Sequence, residues 1–303
     1  MDLQDAARRA LIGGLAATAL PTGAARALQR PGADDADPLR YLDAANRLTV
    51  ETFVNGQGPF AFLVDTGSTT SVISTELADQ LGLARQANGR LHSIAGAQAV
   101  SMVRVSSLSV GKRERRDMLV AVLPRAQLRM DGVLGLEWLG QASLLLDFGR
   151  RRMVVGEALP IPDEQTVIVK SKLLRSGLIL VDASIPSHRV IAFIDSGSTT
   201  TAGNIALLEA ARRANGLVGG VGPSDLVSVT GQVLQGRSAV LSRLKLGPMT
   251  LRSLPIVIGP IHTFEYWGLQ DRPALVIGVD VLRNFDKVAL DLKRNEVRFR
   301  IGR

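Results

Sequence analysis

Two aspartates, Asp65 and Asp195, stand at equivalent places in the chain, each at the start of an Asp-Thr/Ser-Gly-Ser turn. Each turn follows an apolar run, 60–64 or 190–194, which predicts a buried strand ending at the aspartate. Two carboxylates at one site share a proton, because like charges at short distance cannot both be ionised. The ionised carboxylate can then take a proton from water while the other acts as an acid. The pattern therefore predicts that Asp65 and Asp195 form one dyad that activates water.

The sequence around the first aspartate recurs 130 residues later, around the second. Ser74 and Asn204 follow the aspartates at the same distance, where each would cap a helix. We expect these helices to end at Gly82 and Gly216, because glycine suits a left-handed C-terminal residue. Further apolar-apolar-Gly motifs are predicted to precede short helices over 136–139 and 279–282. The repetition indicates two related halves.

The difference in residue number between matching positions of the two halves grows along the chain. This growth places two insertions in the second half, within residues 216–225 and 262–273. The first is glycine-rich, which predicts a flexible loop. The second is predicted as a loop and carries Phe264, Tyr266 and Trp267. These aromatic side chains either shape a binding pocket or cap the core, and the sequence leaves both open. Most other segments are short apolar or alternating runs, which predict strands.

These motifs resemble the pepsin-like and bacterial retropepsin-like aspartic proteases over about residues 45–155 and 175–300. The resemblance implies a mostly β, two-lobed acid-protease fold made of two duplicated retropepsin-like β-barrel lobes. Each lobe would carry one short-to-medium helix and contribute one catalytic residue, Asp65 or Asp195. The implied activity is hydrolysis of peptide bonds in a protein or peptide substrate, with no cofactor and no metal.

The same resemblance assigns supporting roles within the two turns. The hydroxyls of Thr66 and Ser196 would tie the turns together across the dyad, and Ser68 and Ser198 would hydrogen-bond the carboxylates. Ordinary turn capping is the alternative for these four residues. Their neighbours, Gly67 and Gly197, would let the backbone turn sharply and leave the carboxylates accessible.

Two glycine-bearing hairpins are expected to cover the substrate as flaps. The first contains Ile94, Ala95 and Gly96, and the second contains Thr230 and Gly231. The first hairpin lacks the tyrosine of pepsin flaps and is closer to the retropepsin form. The resemblance thus implies two flaps, as in retropepsin dimers.

Composition excludes several other classes of function. The net charge of +8 is spread along the chain, and aromatic residues make up only 4%, so neither a basic patch nor a base-stacking platform points to nucleic acid. No cysteine is present, which removes disulfides and thiolate chemistry. The histidines, His92, His188 and His262, show no metal-ligand spacing.

The first residues predict an export signal over 1–27, similar to a twin-arginine signal. Arg8-Arg9 precede a weakly apolar stretch, and Ala25-Arg26-Ala27 has the form of a cleavage site; a short surface helix is the alternative. A linker over 28–40 is predicted to precede an N-terminal lobe over 41–158 and a C-terminal lobe over 159–303. This organisation predicts a periplasmic or secreted protein with no stable membrane insertion after signal removal.

Two further alternatives stay open on the sequence. The chain could be a non-catalytic peptide-binding module on the same fold. Each lobe could also pair with a lobe of another chain, whereas two complete motifs in one chain favour a monomer with an intramolecular pseudo-dimer.

Overall fold

The computed structural model describes residues 37–40, 42–44, 47–156, 159, 162–174, 178–228 and 232–302. The predicted export signal at 1–27 and residues 28–36 of the predicted linker lie outside the described residues. The end of that linker, Asp37–Arg40, is strand β1, which pairs with Arg152–Val155. The linker prediction is therefore wrong at these four residues, whose backbone groups join a sheet.

The described residues between 42 and 139 form an eight-stranded sheet with three helices. The strands are β2 (Leu42–Ala44), β3 (Arg47–Val54), β4 (Gln57–Val64), β5 (Val72–Ser74), β6 (Arg85–Ser93), β7 (Gly96–Val110), β8 (Arg113–Leu123) and β9 (Gly132–Leu134). The helices are α1 (Thr75–Gln80), α2 (Arg125–Leu128) and α3 (Leu136–Leu139).

Later residues form most of a 13-stranded sheet, again with three helices. The strands are β10 (Ser143–Asp147), β11 (Arg152–Gly156), β12 (Thr166–Leu173), β13 (Ile179–Ile185), β14 (His188–Ile194), β15 (Ala202–Gly203), β16 (Gly222–Val227), β17 (Val233–Leu246), β18 (Met249–Ile258), β19 (Ala274–Ile277), β20 (Lys287–Asp291) and β21 (Glu296–Arg300). The helices are α4 (Ile205–Arg213), α5 (His262–Tyr266) and α6 (Val279–Leu282).

The two sheets repeat one strand order. The first contains β3-β4-β9-β5-β8-β7-β6, and the second contains β13-β14-β19-β15-β18-β17-β16. The extra pairing β3–β7 recurs as β13–β17. In both sheets the strand that ends at the aspartate, β4 or β14, lies parallel to the strand of the apolar-apolar-Gly motif. The mostly β fold class is thus confirmed.

Strands from both sides of the predicted lobe boundary at 158–159 share the larger sheet. Strand β10 pairs with β20, with Leu145 opposite Ala289. Strand β1 lies at the edge of the same sheet, next to β11. One buried apolar cluster includes residues of both halves, among them Trp138 and Phe264. The halves are therefore joined by a continuous sheet as well as by packing.

Helix starts agree with the sequence, whereas one helix end does not. Ser74 Oγ accepts from the Leu77 amide at 3.1 Å, and Asn204 Oδ1 accepts from the Leu207 amide at 2.9 Å, so both caps are confirmed. Gly82 takes the predicted left-handed conformation, with φ of 63°. At the end of α4 that conformation falls on Asn215, with φ of 49°, and not on Gly216. Asparagine tolerates this region better than other residues with side chains, which explains the shift.

The two insertions are more regular than predicted. Residues 222–225 of the glycine-rich segment belong to β16, so the loop prediction is wrong there. Helix α5 occupies the start of the aromatic insertion, which was also predicted as a loop. The short helices predicted over 136–139 and 279–282 are confirmed as α3 and α6. With α2 and α5, each half holds three helices among the described residues, so the expectation of one helix in each lobe is wrong. Helices α2 and α5 have only four and five residues, below the length that periodicity can reveal.

Candidate active site

The two aspartates leave their strands in the same way. The Asp65 amide donates to Leu134 O at 3.0 Å, and the Asp195 amide donates to Ile277 O at 3.0 Å. Each bond extends a parallel ladder by one residue before the chain turns. The two turns meet, and each carboxyl, Asp65 or Asp195, lies against the glycine of the opposing turn. The structure thus brings the predicted pair together.

Thr66 and Ser196 link the turns through four hydrogen bonds. Thr66 Oγ1 donates to Ile194 O at 3.0 Å and accepts from the Ser196 amide at 3.0 Å. Ser196 Oγ donates to Val64 O at 2.8 Å and accepts from the Thr66 amide at 3.2 Å. Both side chains are buried, so water does not compete for these bonds. These four hydrogen bonds form the link between the two turns that the family resemblance implied.

Gly67 and Gly197 lie against the opposing carboxyl groups. A Cβ placed on Gly67 would overlap the Asp195 carboxyl, and one on Gly197 would overlap the Asp65 carboxyl. The Gly67 amide also donates to Asp65 Oδ1 at 2.8 Å, and the Gly197 amide donates to Asp195 Oδ1 at 2.7 Å. The absence of a side chain is what allows the two turns to approach.

Ser68 and Ser198 differ in their contacts with the dyad. The Ser198 amide donates to Asp195 Oδ1 at 3.1 Å, whereas the Ser68 amide donates to the main-chain oxygen of Asp65 at 3.4 Å. Their hydroxyls donate to Thr70 O and Thr200 O, at 2.8 Å each. The hydroxyls therefore form hydrogen bonds within the turns, which is the capping alternative, and the Ser198 amide donates to a carboxylate.

Two acidic residues that the sequence analysis did not single out accept hydrogen bonds from the residues that follow the turns. Glu137 Oε1 accepts from the Ser71 amide. Asp280 accepts from the Thr201 amide at 2.9 Å and from Thr201 Oγ1 at 2.8 Å. Both acids stand two residues after the glycine of the apolar-apolar-Gly motif. That repeated spacing is a signal through which they could have been found.

Burial raises the pKa of both dyad carboxyls, because each charge would lie away from water. The negative charge of Asp195 and the hydrogen bond to it raise the pKa of Asp65 further, well above its usual range. For Asp195, the bond from Asp65 and the main-chain amides act in the opposite direction. Asp65 is only 7% exposed, whereas Asp195 is partly exposed. The two carboxyls therefore titrate as one unit and share a proton between them.

A cavity of about 300 Å³ lies above the dyad. Its walls are mostly apolar and come from both halves. The first half contributes Val72, Leu91, Ile94, Leu123, Leu128 and Val133, and the second contributes Leu178, Phe193, Leu226, Val227, Ile261, Trp267 and Val276. An apolar cavity with a few convergent polar groups is typical of a site that binds a ligand.

The first predicted flap forms one side of this cavity. Strands β6 and β7 pair up to Ser93 and Gly96, leaving Ile94 and Ala95 as the turn. Gly96 has φ of 144°, a conformation that L side chains rarely adopt. In the second hairpin, Thr230 and Gly231 lie outside the described residues. The neighbouring segment 226–228 lines the same cavity.

The two hairpins touch each other over the cavity. Ser93 Oγ donates to Gln232 Oε1 at 3.2 Å. Ser93 itself is 8% exposed. The dyad is thus covered by a contact between the two halves.

The aromatic insertion serves both purposes that the sequence left open. Phe264 is 1% exposed and belongs to the core. Trp267 lines the cavity beside Phe193, with ring centroids 4.9 Å apart. Tyr266 stacks on His92 of the first hairpin, with centroids 3.7 Å apart.

Among the described residues, no three histidine, cysteine, aspartate or glutamate side chains are grouped so that they could hold a metal ion. Within the same ranges, no helix has both the length and the apolar character needed to cross a membrane.

Part of the chain matches the model of a known protein family. Residues 50–138 match the family model described as Aspartyl protease. The matched segment contains Asp65 and its turn, the first hairpin and the first apolar-apolar-Gly motif. No curated protein matches the chain significantly. The match over residues 50–138 supports an aspartyl protease family for this chain.

Proposed function

We propose that this protein is an aspartic endopeptidase that hydrolyses peptide bonds with water activated between Asp65 and Asp195. The observation that carries the proposal is the close approach of these two carboxyls, each against the glycine of the opposing turn, in the lining of one cavity. The aspartyl protease match over the first of the two turns supports the same reading.

The geometry fits a shared-proton mechanism. The Asp195 carboxylate takes a proton from water, whose oxygen bonds to the carbonyl carbon of the substrate. Asp65 gives its proton to the carbonyl oxygen, so that the tetrahedral intermediate is neutral. The proton on Asp195 then passes to the leaving nitrogen as the C–N bond breaks, and Asp65 recovers a proton as the C=O bond re-forms. The products are a carboxylic acid and an amine, and the dyad again holds one proton.

The proposal includes two duplicated retropepsin-like lobes in one chain, each contributing one carboxyl. The repeated strand order and the paired turns support it. One chain then contains the complete dyad, and a monomer is the expected active form. A monomer in light scattering that cleaves peptides would exclude pairing of lobes between chains.

We also propose that the chain is exported and acts in the periplasm or after secretion. The support is the sequence of residues 1–27 alone. Fractionation of cells expressing the full chain tests it. Replacement of Arg8 and Arg9 by lysine should retain the protein in the cytoplasm if the twin-arginine route is used.

The central test is cleavage of a library of internally quenched peptides between pH 3 and pH 8. Asp65→Asn and Asp195→Asn should each lower the cleavage rate by about a thousandfold or more, because each removes the acid–base pair. Asp225→Asn is the matched control, since Asp225 lines the same cavity and is exposed. Cleavage retained in both dyad variants would overturn the proposal. A wild-type protein that binds peptides but never cleaves them would instead favour the peptide-binding module.

A further inference from the structure

Helix α5, from the second half, lies against the first hairpin, from the other half. The His262 amide donates to Ile94 O at 2.9 Å, at the turn of that hairpin. His92 Nδ1 and His262 Nε2 are 3.0 Å apart, and the planes of the two rings are nearly parallel, at 7°. Tyr266 stacks on the same His92 ring. We call the contact among His92, His262 and Tyr266 the clasp.

The clasp has no counterpart at the matching place of the second hairpin. The residue that corresponds to His92 in the repeat is Val227, whose side chain is 55% exposed. The clasp also depends on the insertion 262–273, which the first half does not contain. Helix α5 thus contacts both strands of the first hairpin, β6 and β7, through side chains that the repeat does not provide.

The clasped hairpin forms one side of the cavity above the dyad. Leu91, His92, Ser93 and Ile94 line the cavity above the dyad. A hairpin tip held at a fixed place reduces the conformational entropy that binding must otherwise remove. An untied hairpin would spend part of its time away from the dyad, which weakens binding in proportion.

We propose that His92, His262 and Tyr266 are positioning residues, which fasten the first hairpin over the dyad from the opposite half of the chain. The proposal deepens the proposed function and rests on it, because the hairpin matters only if the dyad acts on a peptide. The insertion is thus the element that sets how long this hairpin stays closed.

The hydrogen bond in the clasp depends on protonation. When both rings are neutral, one ring nitrogen donates and the other accepts. When both rings are protonated, both nitrogens are donors and two positive charges face each other. The other ionisable groups near the pair are Glu265, whose Oε2 lies 3.9 Å from His262 Nδ1, and Arg90, next to His92 on β6. Opposite His92 on β7 stands Ala97, which does not titrate.

The sign of the pH effect follows from His92. Burial, the neighbouring His262 and Arg90 lower the pKa of His92. A histidine whose pKa is lowered in the closed state stabilises that state fully above its unperturbed pKa, about 6.5. The stabilisation is lost as the pH falls below that value. The hairpin should therefore loosen between about pH 7 and pH 5.

Hydrogen exchange of the hairpin amides, followed by mass spectrometry of a peptide spanning residues 88–100, tests the clasp without any need for cleavage. His262→Ala should raise exchange in this peptide about tenfold, because one hydrogen bond and one ring contact are lost. His262→Gln, which can still form a hydrogen bond, should recover part of the protection. Tyr266→Phe keeps the aromatic ring and should retain the protection of this peptide, whereas Tyr266→Ala should lose it.

The remaining histidine supplies the matched control. His188 is the first residue of β14 and contacts Pro186 O, and His188→Ala should leave exchange of the peptide unchanged. After correction for intrinsic exchange, protection in the wild-type chain should fall between pH 7 and pH 5, and His262→Ala should abolish that dependence. Equal protection in wild type and His262→Ala, or the same pH dependence in both, would overturn the proposal.

Kinetics on the peptides cleaved by the wild-type chain give a second measurement. His262→Ala should raise KM by about threefold to tenfold and lower kcat less, because the hairpin is displaced while the dyad is intact. Equal losses with His262→Gln and His262→Ala would indicate a structural role instead and contradict the proposal. If the chain never cleaves peptides but the variants change hydrogen exchange as predicted, the proposed function is wrong and the clasp is still supported.

Discussion

Thr66 and Ser196 each accept a hydrogen bond from the other's backbone amide. The Ser196 amide donates to Thr66 Oγ1 at 3.0 Å, and the Thr66 amide donates to Ser196 Oγ at 3.2 Å. Each hydroxyl then donates to the carbonyl that ends the opposing strand. The two turns are thus joined by buried bonds that need no substrate, so the spacing of the carboxyls is set in the folded protein.

Replacement of Thr66 by valine tests this link. The variant keeps the shape of the side chain but leaves the Ser196 amide and Ile194 O without their partner. We expect a loss of about 2–4 kcal/mol in the free energy of unfolding, since each unsatisfied buried group costs about 1–3 kcal/mol. Urea unfolding at pH 7 measures the loss.

Thr69→Val is the control for this experiment, because Thr69 lies in the same turn and is exposed. Its effect should stay within about 0.5 kcal/mol. A Thr66→Val chain as stable as the control would show that the cross-link contributes nothing net to stability.

The close approach of Gly67 to Asp195 gives a second prediction. In Gly67→Ala the new methyl group would overlap the opposing carboxyl, so the turns must separate. A displacement of about 1 Å costs on the order of a hundredfold in rate when geometry controls the reaction. We expect at least that loss in kcat on peptides that the wild-type chain cleaves.

Gly220→Ala is the matched control, because a Cβ there meets no atom within 4 Å. It should cleave at the wild-type rate. Full activity in Gly67→Ala would mean that the dyad tolerates a wider separation than the shared proton allows.

Sequence predicted the turns because their chemistry is local. An apolar strand followed by Asp-Thr-Gly-Ser fixes where the strand ends and which groups emerge, and repetition at a spacing of 130 residues indicates that the two ends meet. Glu137 and Asp280 were missed because each acts on a turn more than 60 residues away in the chain. A single acidic residue in a short helix gives no sign of such a contact until the fold is known.

A third prediction concerns Asp280. Asp280→Ala removes the acceptor of both the Thr201 amide and the Thr201 hydroxyl, and Thr201 is fully buried. We expect a loss of about 1–3 kcal/mol in unfolding free energy and a lower kcat, because Thr201 Oγ1 also holds the Gly278 amide at 3.0 Å. Urea unfolding and peptide cleavage measure the two effects.

Asp280→Asn keeps the shape and one carbonyl acceptor, so it should recover most of the stability. If Asp280→Asn were as damaging as Asp280→Ala, the negative charge and not the hydrogen bonds would be what the turn requires.

Local rules failed where tertiary contacts decide the conformation. Asn215 takes the left-handed position expected at Gly216, since both residue types tolerate it and packing selects between them. Helix α5 is only five residues long, too short for a periodic pattern, and its partner His92 lies 170 residues earlier in the chain. The larger sheet joins β10 to β20 across the predicted lobe boundary, a pairing that no local signal contains.

The last prediction uses the raised pKa of Asp65 and concerns stability. In the unfolded chain an aspartate titrates near pH 3.9, whereas burial and Asp195 raise the pKa of Asp65 in the folded protein. A group whose pKa rises on folding stabilises the protein fully below its unfolded pKa, and that stabilisation is lost as pH rises through the folded pKa. At pH 7 folding must therefore bind a proton at Asp65 that the unfolded chain has released, which lowers stability. Asp65→Asn, which should abolish cleavage, should raise the free energy of unfolding by about 1–3 kcal/mol at pH 7 because this proton uptake is no longer needed. The gain should be smaller at pH 4, where the unfolded aspartate is itself about half protonated. Thermal unfolding at both pH values measures the difference, with about 2–4 °C expected for each kcal/mol.

Asp225→Asn, exposed in the same cavity, should show no comparable gain. A Asp65→Asn chain less stable than wild type at pH 7 would mean that the buried charge is better compensated than its surroundings indicate.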